Sequence, residues 1–472
     1  MNSVAPHTSL ALRVAFAGLL ALLVLAPLPF GSNRPWAWSL VAIGVALTLL
    51  IWSVGVYRTP GAVRIPWSRH LPATIAFLLA IGWFFLQASG LTPSVWDHPL
   101  WSEAANSLGL ETISGAISLN PNASFDGAMR LLAYGGVFWL TLHFCRSRKR
   151  TKQLLWAIVI SGTLYATYGL VVQFGGSNTI LWFDKWAYEN VVTSTFVNRN
   201  NFATYAALVI MAAFGLLTRK ADEAAELGIA NRAGIAHILD SLGPQIFGLF
   251  LALFITGTAL LLTASRGGIL SAGIGIFVFL GGLVLYKRRR IRRTIVFAGI
   301  VLLGGVMLLS FSGSEVIQRL NQSSDDLSGR GQIWETTREA IAERPWLGTG
   351  LGTFSDVAIR VRHKDLPPQA SPFLRAHNGY LEMILEGGLI GFGLIMGALV
   401  WLTGWCFYGI VVRHEDGVYP CIGLAATAVV ASHAYVDFSL QIPAVAMTYA
   451  AMLAVGCAQA NRHAGHTRER MI

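Results

Sequence analysis

Charge is the scarce ingredient of this chain. Asp, Glu, Lys and Arg make up 12% of its 472 residues and hydrophobic residues 54%, whereas about a quarter of a soluble domain is charged. A soluble globular protein is excluded. Cysteine is scarce too: Cys145, Cys406, Cys421 and Cys457 fall in or at the ends of apolar runs, with neither paired nor metal-type spacing. They predict no disulfide framework and no zinc site. No His, Asp and Glu cluster has ligand spacing, and the side chains of adjacent Asp325 and Asp326 diverge. No metal and no cofactor is therefore expected. The chain also lacks internal repeats, low-complexity tracts and any recognisable soluble domain.

What it has is long apolar runs. Measured against the roughly 20 residues that cross about 30 Å of hydrocarbon, they predict an all-α polytopic membrane protein of about twelve transmembrane helices. The expected spans are 11–28, 36–56, 71–88, 128–145, 153–174, 200–217, 244–263, 268–286, 294–311, 388–411, 417–435 and 442–459. The first has no small-residue cleavage pattern before Phe30-Gly-Ser-Asn and leads directly into a second span, so it is kept as a helix. The organisation that follows is helices one to nine over 1–311, a large outer loop over 312–387, helices ten to twelve over 388–460 and a tail over 461–472.

The net charge of +11 invites a nucleic-acid reading, which the distribution of the charge rejects. Placing both termini in the cytoplasm puts 22 of the 35 Lys and Arg on the inner side, including Arg146-Ser-Arg-Lys-Arg and Lys287-Arg-Arg-Arg-Ile-Arg-Arg. This is the positive-inside pattern. The basic runs are expected to hold anionic membrane lipids, and no nucleic acid is expected as a partner.

Two outer segments stand out. Residues 89–127, with Pro93, Pro99 and Pro121, read as an irregular outer loop serving as a lid or a connector. Residues 312–387 are too long for a structureless connection unless they carry function. Within them Ile333, Trp334, Thr337, Ala340 and Ile341 recur at helical spacing until Pro345 stops the run. Arg330, Glu335, Arg338 and Glu339 lie on the other face. Gly348-Thr-Gly-Leu-Gly-Thr-Phe then follows with no strand before it, so it is no nucleotide fingerprint. Close backbone approach, or N–H groups offered to an anion, is its expected use.

Candidate chemistry gathers on the outer side. Arg199 sits in Phe196-Val-Asn-Arg-Asn-Asn-Phe with Asn198, Arg266 sits in Thr263-Ala-Ser-Arg-Gly-Gly, and Arg319, Arg330, Arg338, Arg344, Arg360, Arg362, Lys364 and Arg375 lie in the large loop. Arginines against the positive-inside tendency suggest a bound anion, because guanidinium forks phosphate oxygens. Salt bridges to Glu335, Glu339, Glu343 or Asp437 are the structural alternative. His377 begins Ala376-His-Asn-Gly-Tyr-Leu, with Asn378 and Tyr380, at the start of a helix. A neutral imidazole there can take a hydroxyl proton, with Glu382 or Glu386 to orient it. Capping or packing is the alternative. His433 and Asp437, four residues apart, share a helix face and are expected to support the site or simply to pack.

At these residues the chain resembles the O-antigen ligase and O-antigen or exopolysaccharide polymerase superfamily of bacterial envelope enzymes. The matching pieces are the Asn-Arg-Asn-Asn and Thr-Ala-Ser-Arg-Gly-Gly motifs, Arg330-Gly-Gln-Ile-Trp, Pro345-Trp-Leu-Gly-Thr-Gly-Leu-Gly-Thr-Phe, Ala376-His-Asn-Gly-Tyr-Leu and Asp437-Phe-Ser-Leu-Gln-Ile-Pro. The resemblance implies a GT-C-like membrane glycosyltransferase that takes an undecaprenyl-diphosphate-linked glycan at the periplasmic face of the inner membrane and needs no metal or nucleotide. It implies that Arg266 and Arg330 grip the diphosphate, that Arg199 assists, and that His377 takes the acceptor's proton so that the hydroxyl attacks the anomeric carbon with inversion. Asn198, Asn378, Arg338 and Tyr380 are implied to contact substrate; Asp437, His433 and Glu382 are implied to support them. The acceptor is another lipid-linked repeat for a polymerase, which the motifs favour slightly, lipid A core for a ligase, or a protein hydroxyl. Other envelope polysaccharide assembly proteins are implied as further partners. A lipid-linked sugar flippase is the rival from another class; it predicts charges at mid-depth of the helices and repeated halves.

Overall fold

A computed structural model describes residues 9–59, 67–111, 113–226, 235–286, 324–360, 375–413 and 416–460. The helices in chain order are α1 (Leu10–Leu25), α2 (Pro35–Tyr57), α3 (Trp67–Ala88), α4 (Leu100–Ser107), α5 (Pro121–Phe144), α6 (Arg148–Phe174), α7 (Arg199–Glu226), α8 (Ile235–Leu262), α9 (Arg266–Tyr286), α10 (Ser324–Glu343), α11 (Phe354–Arg360), α12 (Gly379–Val412), α13 (Val418–Ala434) and α14 (Pro443–Ala460). Among the described residues eight helices are long and apolar enough to cross a membrane, and α1 and α13 are shorter apolar helices. The chain is a multi-pass, all-α membrane protein. The expected spans have helices over them except 294–311, which lies outside the described residues.

Two helices form the interior. The apolar window of α7 is wholly buried and that of α14 is 94% buried, against 22–39% for the other spanning helices. Small residues make this possible: Ala203, Ala206, Ala207, Ala212 and Ala213 on α7 and Ala444, Ala451, Ala454 and Ala458 on α14 are all buried. Without a hydrophobic drive between helices in lipid, close backbone approach through small residues supplies the packing. The other helices wrap this pair and turn one apolar face outward.

Among the differences from the sequence reading, three bear on the site. α5 starts at Pro121 rather than 128, because the Asn120 side chain caps it by accepting from the Ala123 amide (3.2 Å) and proline occupies its first position. The 89–127 segment is less irregular than expected, since it carries α4. It also buttresses the glycine-rich turn: Ser124 Oγ donates to the Leu351 carbonyl (3.0 Å), and Arg344 donates to the carbonyls of Trp96 and Asp97.

The third difference shapes the site. α12 begins at Gly379, not 388, and breaks at Gly388, whose φ of 64° and ψ of 177° belong to a region open essentially to glycine alone. The break leaves carbonyls without helical partners. Thr349 N–H donates to Leu385 O (3.0 Å), Gly350 N–H to Glu386 O (2.9 Å), and the Trp83 indole to Gly387 O (2.8 Å). Gln87 donates to both Glu386 O (3.0 Å) and Leu347 O (2.6 Å). The glycine-rich turn thus uses close backbone approach. The amides of Thr349 and Gly350 are committed to α12 and cannot serve an anion, which corrects that half of the expectation.

Candidate active site

His377 occupies the short connection that enters α12. α10 holds this connection from one side: Ile333, Thr337 and Ala340 are buried at helical spacing, and the Trp334 indole donates to the Ala376 carbonyl (3.0 Å). The fully buried Glu382 holds it from the other, accepting from the Ala376 amide and from Arg375 (both 3.1 Å). Asn378 caps α12, its Oδ1 accepting from the amides of Tyr380 and Leu381 (both 3.1 Å). Between these restraints His377 adopts a φ of 50°, a left-handed conformation uncommon outside glycine. The restraints before and after it fix the residue where its side chain faces Asp437.

His377 Nδ1 lies 3.4 Å from Asp437 Oδ1, at ion-pair distance though not aligned as a hydrogen bond. Its ring also packs edge-on against Phe438, with centroids 5.2 Å apart. The sequence reading offered Glu382 or Glu386 as the orienting carboxylate. Both are committed elsewhere, Glu382 to residues 375 and 376 and Glu386 to the Phe354 amide (3.1 Å). Asp437, 60 positions along the chain, takes that place.

Asp437 is fully buried, and a hydroxyl and a side-chain amide donate to it. The Ser439 hydroxyl donates to Oδ2 (2.6 Å) and the Asn200 amide to Oδ1 (3.4 Å). Asn200 accepts in turn from the Ser265 hydroxyl (2.8 Å), which also caps α9 at the Gly268 amide (3.2 Å). Thr204 donates to Ser439 Oγ (2.9 Å) and is hydrogen-bonded to His433 Nδ1. Asn198 Oδ1 accepts from the Asn200 amide (2.8 Å) and shapes the entry into α7. Burial pushes the Asp437 carboxyl up, but His377, the charge on His433 and the Ser439 hydroxyl outweigh it and hold the group below the ordinary carboxylate range. Asp437 is therefore ionised at neutral pH.

The network joins the beginnings of α7, α9 and α12, and this places the arginines. Arg199 and Arg266 are the first residues of α7 and α9. A cation at a helix N-terminus opposes the macrodipole, so each position favours an anion nearby. Arg199 has its guanidinium over the Tyr188 ring at 5.7 Å and its buried Nε without a hydrogen-bond partner. Arg266 is exposed at the start of its helix. Arg330 lies on α10, the helix that supports Ala376, and its side chain is outside the described residues, as are Arg319, Arg362 and Lys364. Arg338 is exposed on α10, and no described contact brings it to His377. Tyr380 donates its hydroxyl to Ala431 O (2.8 Å) and ties α12 to α13. Among the described residues no group of three His, Cys, Asp or Glu side chains could hold a metal ion.

An open cavity of about 310 Å³ adjoins the site, bordered by α3, α5, α12 and α14. Asp437, Phe438, Arg375 and Tyr380 line its upper end, and it descends past Phe77, Phe138 and Leu399 to His70 and Leu453, so its walls are overwhelmingly apolar. The family resemblance implied a cavity open to the bilayer, while sequence reading missed the roles of Asn200, Ser265 and Ser439. The last three sit inside the quoted motifs, one residue from Arg199 and Arg266 and two from Asp437, so the signal was present.

The bundle of membrane-spanning helices thus carries a His–Asp pair at one end, beside helix-initial arginines and an apolar cavity. Residues 251–396, less than a third of the chain, match the model of a family described as O-antigen ligase, which supports assigning the chain to that family. The matched segment contains Arg266, Arg330, His377, Asn378, Tyr380 and Glu382 and stops short of Asp437. No curated protein matches the chain.

Proposed function

We propose that this protein transfers a glycan from undecaprenyl diphosphate to an acceptor sugar hydroxyl at the periplasmic face of the inner membrane, in a topology of about twelve spans with both termini cytoplasmic. The observation that carries the reading is the contact of His377 with Asp437 inside the network that also positions the first turns of α7 and α9. Asp437 favours the tautomer protonated at Nδ1 and leaves Nε2 free to accept a proton. His377 Nε2 takes the proton of the acceptor hydroxyl, and the oxygen attacks the anomeric carbon as the bond to the diphosphate oxygen breaks. The leaving diphosphate departs with that electron pair, stabilised by Arg266, Arg330 and Arg199. Asp437 stabilises the imidazolium formed in the same step. The apolar cavity beside Asp437 suits a polyprenyl tail, so that the lipid stays in the membrane while its sugars react above it.

The motifs slightly favour a lipid-linked repeat over lipid A core as the acceptor. Lipopolysaccharide and secreted polysaccharide from cells lacking the gene, complemented with wild type or with His377→Ala, test this. A polymerase leaves core capped by one repeat, or short lipid-linked units without long chains. A ligase leaves uncapped core and long lipid-linked chains. Normal glycans of both kinds would refute the proposal.

A further inference from the structure

The apolar cavity carries one charge for which the described residues provide no counter-ion. Arg130 lies ten residues into α5, within a stretch read from sequence only as a spanning segment, and it lines the cavity together with Arg375, Glu386 and Asp437. The other three charges are accounted for. Arg375 pairs with Glu382 (3.1 Å), Glu386 accepts from the Phe354 amide (3.1 Å), and Asp437 is held by His377, Asn200 and Ser439. Arg130 donates only from Nε to the Asp126 carbonyl (3.4 Å), and its guanidinium is stacked over the Trp38 ring at 4.8 Å.

Arg130 is half-buried and its hydrogen bond to Asp126 is solvent-exposed, so its guanidinium, without a counter-ion among the described residues, is accessible to an anionic ligand. Stacking on Trp38 fixes the plane of the guanidinium and leaves its outer N–H groups for a forked acceptor such as phosphate. Arg199 and Arg266 are not part of the cavity lining. Arg130 is therefore, with the paired Arg375, the arginine that faces the cavity.

We propose that Arg130 is the anchor of a second anion subsite, on the membrane side of His377, that binds the phosphate of a polyprenyl diphosphate whose tail enters the cavity. This rests on the lipid-linked donor reading above and adds a residue to it. Arg130 binds and orients lipid and moves no proton. The phosphate belongs either to the glycan donor or to a lipid-linked acceptor, and its chemistry at Arg130 is the same in both cases.

The test is lipid binding by the purified full-length protein in nanodiscs, titrated with undecaprenyl diphosphate and, separately, with undecaprenol. Arg130→Gln should weaken diphosphate binding by about tenfold or more, the scale of a lost charge-assisted contact, and leave undecaprenol binding unchanged. Arg130→Lys should fall between Gln and wild type. Equal diphosphate affinity for wild type and Arg130→Gln would overturn the inference, and so would parallel loss of both lipids in the two variants, which would mark a packing role. If the wild type binds neither lipid, the donor reading itself fails, whatever Arg130 does. In turnover, a raised KM confined to donor assigns the donor's phosphate to Arg130, and one confined to a lipid-linked acceptor assigns the acceptor's.

Discussion

Two buried carboxylates stand just beyond the opposite ends of α12, and their surroundings differ. Asp416, after the helix, is hydrogen-bonded to Arg148 at the start of α6 and lies 3.8 Å from an Arg219 nitrogen on α7 and 3.9 Å from one of Arg413. Asp437, beside the start of the helix, has no lysine or arginine partner among the described residues and faces His377, an amide and a hydroxyl. The first carboxylate neutralises guanidiniums and pins three helix ends together. The second is left ionised against an imidazole, the arrangement that the proposed proton transfer to His377 would use. Burial alone therefore does not distinguish the two carboxylates; the chemistry of their partners does.

Substitutions at the two ends should separate sharply. His377→Ala should lower transfer by about 10²–10⁴-fold, the usual weight of a general base, in a protein that still inserts and binds lipid-linked donor; in vitro turnover alongside donor binding checks this. Arg266→Lys should cost about 10²-fold in kcat/KM, because an ammonium cannot reproduce the fork offered to a diphosphate. Wild-type turnover there would make that arginine structural. Asp416→Asn should leave turnover per folded molecule near wild type while costing on the order of 3 kcal/mol of stability, since it strips the counter-charge from a buried cluster. If instead it stayed folded and lost turnover as His377→Ala does, the contrast between the two ends would collapse.

Asp437 adds a pH signature with a definite sign. Its carboxyl is held below the ordinary value, so its contribution to stability is complete above the unfolded value near 3.9 and is lost as pH falls through the lower folded value. The difference in thermal midpoint between wild type and Asp437→Asn should shrink as pH falls below about pH 4. The smallest effect belongs to the helix break. Gly388→Ala forces a Cβ to within 2.1 Å of the Trp346 carbonyl oxygen at a φ of 64°, and should cost at least about 1–3 kcal/mol, read as a lower melting temperature.

The membrane bundle was legible because burial in lipid imposes long apolar runs, and the site's members were legible because they are polar residues where such runs stop. The start of α5 could have been read from Asn120-Pro121, a cap followed by a helix-compatible proline. The break at Gly388 could not, since its cause is the glycine-rich turn more than 30 residues earlier. Pairing was equally hidden. His377 has Glu382 within one helical turn and a half, and only the return of the chain through α13 brings Asp437 closer. Arg130 was obscured for a related reason: inside an apolar run a single arginine reads as interfacial, and only the cavity beside it and the missing counter-ion distinguish it.

In the proposed mechanism His377, oriented by Asp437, drives transfer from a lipid diphosphate. This is tested most directly by purified protein reconstituted in liposomes with undecaprenyl-diphosphate-linked repeats as both donor and acceptor, following the length of the lipid-linked glycan with time. Wild type should build products longer than one repeat and release undecaprenyl diphosphate, while His377→Ala should give neither with the donor still bound. Elongation by His377→Ala at the wild-type rate would contradict the account.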